Sequence, residues 1–152
     1  MIHEETISSW GGRSFLLQEI LIWCLICSDV FTLPFVITIS SQLRAFQYKI
    51  LHNILYLNEF LSHKARWSID PLCTFYKKEN ESMQHFFINC IFVKTFWIEL
   101  FLWLDFSLDE INEKIIILGH TPLTVHNMFF NFVILVAKKI IYSCKYKSTF
   151  HP

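Results

Sequence analysis

Residues 72–90 read LCTFYKKENESMQHFFINC, and the fold turns on what this stretch is for. It holds Cys73, His85 and Cys90. Two residues separate Cys73 from Tyr76, eight separate Tyr76 from His85, and four separate His85 from Cys90. With a thiol at 76 the spacing would be C-x2-C-x8-H-x4-C, a compact knuckle. Zinc takes four soft or borderline ligands in a tetrahedron. A Cys-x2-Cys loop supplies two thiolates, and a His and a Cys near the ends of a following helix supply the rest. Position 76 is Tyr, whose phenol is a poor ligand, so three good donors remain. Three readings stay open. Zinc binds through Cys73, His85 and Cys90, with water or a distant thiol as fourth ligand. Or the knuckle is eroded and no longer holds metal tightly. Or the two thiols are small buried side chains beside an ordinary helix histidine, which spacing alone favours.

Working outward, the chain reads as short helical segments. Leu43, Phe46, Ile50 and Ile54 recur near helical spacing with Leu51 on the same face, behind Ser40 or Ser41 as cap. Arg44, Lys49 and Asn53 lie opposite. Asn58 can cap a second helix to about Ala65, and Asp70-Pro71 marks a loop over 66–80. Asn80 is the expected cap of a helix reaching Asn89. Val93, Phe96, Trp97, Leu100, Phe101 and Leu104 form the clearest helical stripe. Ser107 and Glu110 suggest a capping box. Residues 115–118 end at Gly119 and are too few to tell strand from helix. Thr121-Pro122 predicts the start of a last helix reaching about Cys144. Its expected apolar face is Val125, Met128, Phe129, Phe132, Val133, Val136 and Ile140. Lys138, Lys139, Lys145 and Lys147 suit the negative end of that helix. Pro34 inside the β-branched run 31–39 predicts an extended or edge segment.

The composition sets the outer limits. The chain has 152 residues, enough for one domain, and is 53% hydrophobic with 16 Phe, too apolar to be disordered. Thirteen basic and thirteen acidic residues cancel, which excludes a uniformly basic nucleic-acid binder but not a local basic face. The runs 20–27 and 128–137 have the length of core elements, shorter than the ~20 residues a membrane span needs. Glu4 and Glu5 argue against a secretory leader, so the expected location is intracellular, nuclear or cytoplasmic. The five cysteines then read as thiols or metal ligands. With three glycines there is no phosphate-binding glycine loop.

Other candidates carry less. Cys24 and Cys27 sit in an apolar run with nothing to lower a thiol pKa and read as core, as does Cys144. Asp105, Asp109, Glu110 and Glu113 read as a solvated acidic face. His120 and His126 are six apart and share no helical face. Arg44, Lys49, Lys64, Arg66, Lys77 and Lys78 flank the knuckle, interleaved with Phe46, Tyr48, Trp67 and Tyr76. Basic residues among stacking aromatics suit a nucleic-acid surface, and equally a solvated face over an aromatic core.

Taken as a unit, residues 43–100 resemble the zinc-binding region that follows reverse transcriptase in non-LTR (LINE-type) retrotransposon polyproteins. Residues 46–52 (FQYKILH) are similar to its opening helix, and 72–75 (LCTF) to the start of its knuckle. Glu81 to His85, Phe86-Phe87 and Cys90 resemble its helix, and 92–97 (FVKTFW) the segment that follows. Leu33-Pro34-Phe35, Ile117-Leu118-Gly119 and the tail 137–144 extend the resemblance to roughly 31–145. It implies a mainly α, small helical domain around a CCHC-type knuckle, with 1–30 as a loose lead-in, a long C-terminal helix and 146–152 as tail. It implies zinc ligands at Cys73, His85 and Cys90, with Tyr76 departing from the pattern at the fourth position.

The implied role is non-catalytic, helping to hold template RNA or target DNA, with an upstream reverse transcriptase domain as a further partner. Arg44, Lys49, Lys64, Arg66, Lys77 and Lys78 would contact phosphates. No small-molecule substrate and no membrane partner are expected. The alternatives are an inactive remnant of a decayed element, binding neither metal nor nucleic acid, and a small membrane-associated protein using 15–39 and 125–144.

Overall fold

The structure, a computed structural model, describes residues 28–64, 69–106 and 112–148. The expectations for residues 15–27, for Arg66 and Trp67, and for Ser107, Asp109 and Glu110 lie outside the described residues. The elements are α1 (Ser28–Ile37), α2 (Ser41–Leu51), α3 (Asn58–Lys64), a π-helical turn (His85–Asn89), α4 (Ile91–Trp103), α5 (Glu113–Leu118) and α6 (Val125–Ser148). Among the described residues there is no strand, and Leu72 and Asn80 make an isolated antiparallel bridge. The mainly helical fold expected from the sequence is present.

The segment around Pro34 corrects the sequence expectation: it is helical, not extended. Val30, Leu33 and Pro34 are buried and Ile37 is half-buried, a helical spacing that outweighs the propensity of Pro34. Ser40 caps α2, its hydroxyl accepting from the Leu43 N–H at 3.4 Å. Ser82, not Asn80, caps the next helical segment by accepting from the His85 N–H at 3.1 Å. Residues 115–118 resolve as helix, with the Asn112 side chain accepting from the Ile115 N–H at 2.9 Å. Thr124, not Thr121, caps α6 through the Asn127 N–H at 3.2 Å.

The core is aromatic. Phe46 and Ile50 of α2, Phe86 and Phe87, Val93, Trp97 and Phe101 of α4, and Phe130, Ile134 and Ile141 of α6 form one cluster. The Trp97 indole donates to the Phe87 carbonyl at 2.7 Å, so the end of the π-turn is paired inside the core.

The α6 expectation fails on its face. Val125 is 80% exposed and Phe129 61%. The buried stripe is instead Asn127, Phe130, Asn131, Ile134, Leu135, Lys138, Ile141 and Lys145. Asn131 is turned inward because it clasps the α5–α6 turn. Its Oδ1 accepts from the His120 N–H at 2.6 Å and its Nδ2 donates to the His120 carbonyl at 2.9 Å. Lys138 and Lys145 are likewise buried rather than solvated at the helix end. By length and composition α6 could cross a membrane, with mean hydropathy 1.3 over its most apolar window; 44% of that window is buried inside the fold.

Gly119 closes α5 with φ +96° and ψ 169°, a region open to glycine alone. A Cβ there would stand 2.7 Å from Leu33 Cδ1 and 3.1 Å from Asn131 Oδ1. Gly119→Ala is therefore expected to lose about 1–3 kcal/mol of stability. Urea unfolding measures it, with a lower midpoint and an unchanged slope.

Candidate metal centre

The knuckle is a hairpin-like loop built from backbone bonds. Asp70 accepts from the Leu72 N–H at 3.0 Å, and the Glu81 N–H donates to the Pro71 carbonyl at 2.8 Å. The Cys73 N–H donates to the Glu79 carbonyl at 2.8 Å, and the Lys77 N–H to the Cys73 carbonyl at 2.9 Å. Lys77 has φ 57°, the left-handed conformation that tightens the turn.

His85 and Cys90 sit five apart, which in an α-helix would put them about 140° apart around the axis. The π-turn removes that offset. The Cys90 N–H donates to the His85 carbonyl at 2.8 Å, so one residue lies over the other. Cys73, His85 and Cys90, separate in sequence, thereby meet with their ligand atoms all within 4.8 Å, and all three are buried.

The donor set fits a metal ion on two counts. The Cys73 and Cys90 sulfurs are 3.9 Å apart, and two thiolates on a tetrahedral zinc stand about 3.8 Å apart. His85 Nε2 is buried without a hydrogen-bond partner, although buried polar atoms are nearly always paired. Its other nitrogen, Nδ1, lies 2.9 Å from Glu79 Oε2. A carboxylate on the far nitrogen is how metal-bound histidines are oriented. Burial pushes the Cys90 thiol up, and the Cys73 sulfur adds to this, against the Phe92 and Val93 backbone N–H groups that lower it. A metal taking both sulfurs must therefore displace protons.

A second layer fixes the loop from behind. Glu81 is fully buried, and its Oε2 accepts from the Thr74 N–H at 2.6 Å. Its Oε1 accepts from the Asn58 N–H at 3.0 Å, at the start of α3, where a negative charge suits the helix dipole. The Lys145 ammonium of α6 pairs with the same oxygen and also donates to Asn58 Oδ1 at 2.6 Å. Asn58 Nδ2 donates to the Leu72 carbonyl at 2.7 Å. Thus α3, the knuckle and α6 share one polar network. Sequence reasoning assigned no role to Glu79 and none to the Glu81–Lys145 pair. Their partners lie 6 and 64 residues away, and no periodicity links such positions.

Tyr76 is half-buried and packs against the core, with the Lys78 ammonium 5.4 Å from its ring centroid. Of the basic residues, Lys64, Lys77 and Lys78 are exposed. Lys49 is exposed with its ammonium 5.9 Å from the Tyr56 ring centroid. Arg44 is half-buried, donating to the Thr38 carbonyl at 2.8 Å and the Phe35 carbonyl at 3.3 Å.

The family described as zinc-binding in reverse transcriptase matches residues 23–97. No curated protein and no solved structure matches the chain. The matched stretch contains the whole knuckle, both thiols and His85. What is matched is a zinc-binding region, not a polymerase catalytic domain. With the donor cluster inside the matched stretch, residues 23–97 of this chain are similar to the family of reverse transcriptase zinc-binding regions.

Proposed function

We propose that Cys73, His85 and Cys90 hold zinc, and that the domain is a non-catalytic, nucleic-acid-associated part of a non-LTR retrotransposon reverse transcriptase. The observation that carries this is His85, whose buried Nε2 has no partner while Glu79 holds Nδ1. Zinc, when bound, supplies a cross-link between the knuckle and the π-turn. The chain's own residues do the rest. Glu79 orients the imidazole, the π-turn stacks His85 over Cys90, and Glu81 anchors the loop. With Tyr76 in the fourth position, the remaining ligand would come from water or from a thiol elsewhere. The domain then holds template RNA or target DNA for a polymerase domain.

Elemental analysis of the purified chain tests the metal. About one zinc per chain is expected, lost in His85→Ala. A zinc-free wild type that cannot be reconstituted, beside a Tyr76→Cys variant that binds zinc, would establish the eroded remnant instead. Glu79→Gln is expected to weaken zinc binding 10- to 100-fold, read by competition with a chromophoric chelator. Nucleic-acid binding is expected to fall steeply with salt. Absence of affinity even at low salt would end the nucleic-acid part of the proposal.

A further inference from the structure

Two grooves flank α2, and Ala45 lines both. The first, about 290 Å³, runs along α1 past Phe31, Phe35, Arg44 and Tyr48. Its aromatics are open to solvent, Phe35 being 64% and Tyr48 54% exposed. They stand close to one another, tilted rather than parallel. The Arg44 guanidinium lies 5.0 Å from the Phe35 ring centroid, and the His52 ring stands 5.6 Å from Phe31 and 4.1 Å from Tyr48. Two of the five guanidinium N–H donors bind backbone carbonyls, which holds the group against the ring and leaves three. The second groove, about 280 Å³, runs towards α6 past Lys49, Tyr56, Lys139 and Tyr142. Here the Lys49 ammonium lies 5.9 Å from the Tyr56 centroid, and that of Lys139 lies 4.9 Å from Phe46 and 5.8 Å from Tyr142. Among the described residues, no Asp or Glu lines either groove.

We propose that this double groove across α2, rather than the knuckle lysines, is the face that takes single-stranded nucleic acid, with bases on Phe35 and Tyr48 and phosphates on Arg44, Lys49 and Lys139. It rests on the nucleic-acid reading above and gives it an address. Exposed ring faces accept unpaired bases of any sequence, whereas a duplex hides its base faces. Cations without a neighbouring carboxylate match a polyanion. Aromatic surface alone would also suit a protein partner, and it is the one-signed charge of Arg44, Lys49 and Lys139 that favours a polyanion. Lys139 enters this face only through the tertiary structure, since in sequence it looks like one of four lysines at a helix end.

The test uses the full chain and a fluorescein-labelled 12-nucleotide strand, followed by anisotropy at several salt concentrations. The wild type is expected to bind the single strand more tightly than the matching duplex or an abasic strand. Phe35→Leu with Tyr48→Leu keeps apolar bulk but removes the stacking faces. It is expected to weaken binding about tenfold or more with an unchanged salt slope. Lys49→Gln with Lys139→Gln is expected to lower the slope by roughly 1.4. Thermal melts confirm that these surface variants fold. The assignment is overturned if the wild type binds but neither double variant differs from it, if Lys77→Gln with Lys78→Gln alone abolishes binding, or if the abasic strand binds equally well. If the wild type binds no strand at low salt, the nucleic-acid reading itself fails, a distinct result.

Discussion

Lys145→Met is expected to lower the stability of the fold by about 3–5 kcal/mol, because it strips a fully buried carboxylate of its counter-charge. Glu81 is completely shielded from water, and Lys145 is its ion-pair partner. Burial of a lone charge costs far more than a paired one gains, so the loss is set by what remains behind. Glu81→Gln is expected to be comparably severe for a different reason. The carboxylate accepts from the Thr74 and Asn58 N–H groups as well as from Lys145, and an amide presents a donor to one of these donors. The double variant should lose clearly less than the two single losses added together, since each single change leaves the other partner stranded. Urea unfolding of all three variants measures this. A loss below about 1 kcal/mol in Lys145→Met would mean that the pair does not hold the knuckle to α6.

Raising the pH from about 7 towards 10.5 is expected to stabilise the protein, opposite to the usual behaviour of a lysine that gains a partner. Lys138 is buried, and burial pushes its ammonium down from 10.5 to about 7. Its nitrogen meets Gln47 Oε1 at 2.7 Å and the Ile117 carbonyl at 3.3 Å, and both are neutral acceptors. Between the two pKa values the unfolded chain binds a proton that the folded chain does not, so stability rises with pH across that window and is flat below it. The whole change is on the order of 5 kcal/mol. Burial also raises the Cys90 thiol and the Tyr142 phenol, whose contributions run the other way above their ordinary values of 9.0 and 10.0 and cap the rise. Lys138→Met should remove the slope. It orphans Gln47 Oε1 and so costs about 1–3 kcal/mol at pH 10, yet costs less, or stabilises, near pH 6 where the wild-type lysine is charged. Denaturant midpoints from pH 6 to 10 decide it, and an unchanged slope in the variant would show that Lys138 is not the source.

Much of the site was legible because ligand chemistry is local. Two thiols and an imidazole at compact spacing mark a group that could hold a metal once the flanking segments are recognised. The helices α2 and α4 were legible from their stripes, and Ser40 from its place before one. Residues 31–39 read as extended because a proline weighs heavily as a local signal, while the burial of Val30 and Leu33 that offsets it is tertiary. The start of α6 is not legible to within three residues because Thr121-Pro122 and Thr124 offer similar signals, and only the Asn127 N–H chooses between them.

The sequence by itself determined a helical chain with a Cys/His/Cys donor set and a tyrosine in place of the fourth ligand. Hydrophobic period and ligand type are written residue by residue, so they survive without a structure. Only the tertiary structure decided which way α6 faces. That helix is apolar nearly all round, so its hydrophobic residues could not orient it. Its polar residues did. Asn131, Lys138 and Lys145 turn inward because His120, Gln47 and Glu81 wait there to pair them, and a buried polar group must be paired. The tertiary structure likewise decided that His85 meets the two cysteines and keeps a buried nitrogen without a hydrogen-bond partner. The π-turn sets that geometry, and its packing against Trp97 is a contact that spacing cannot encode.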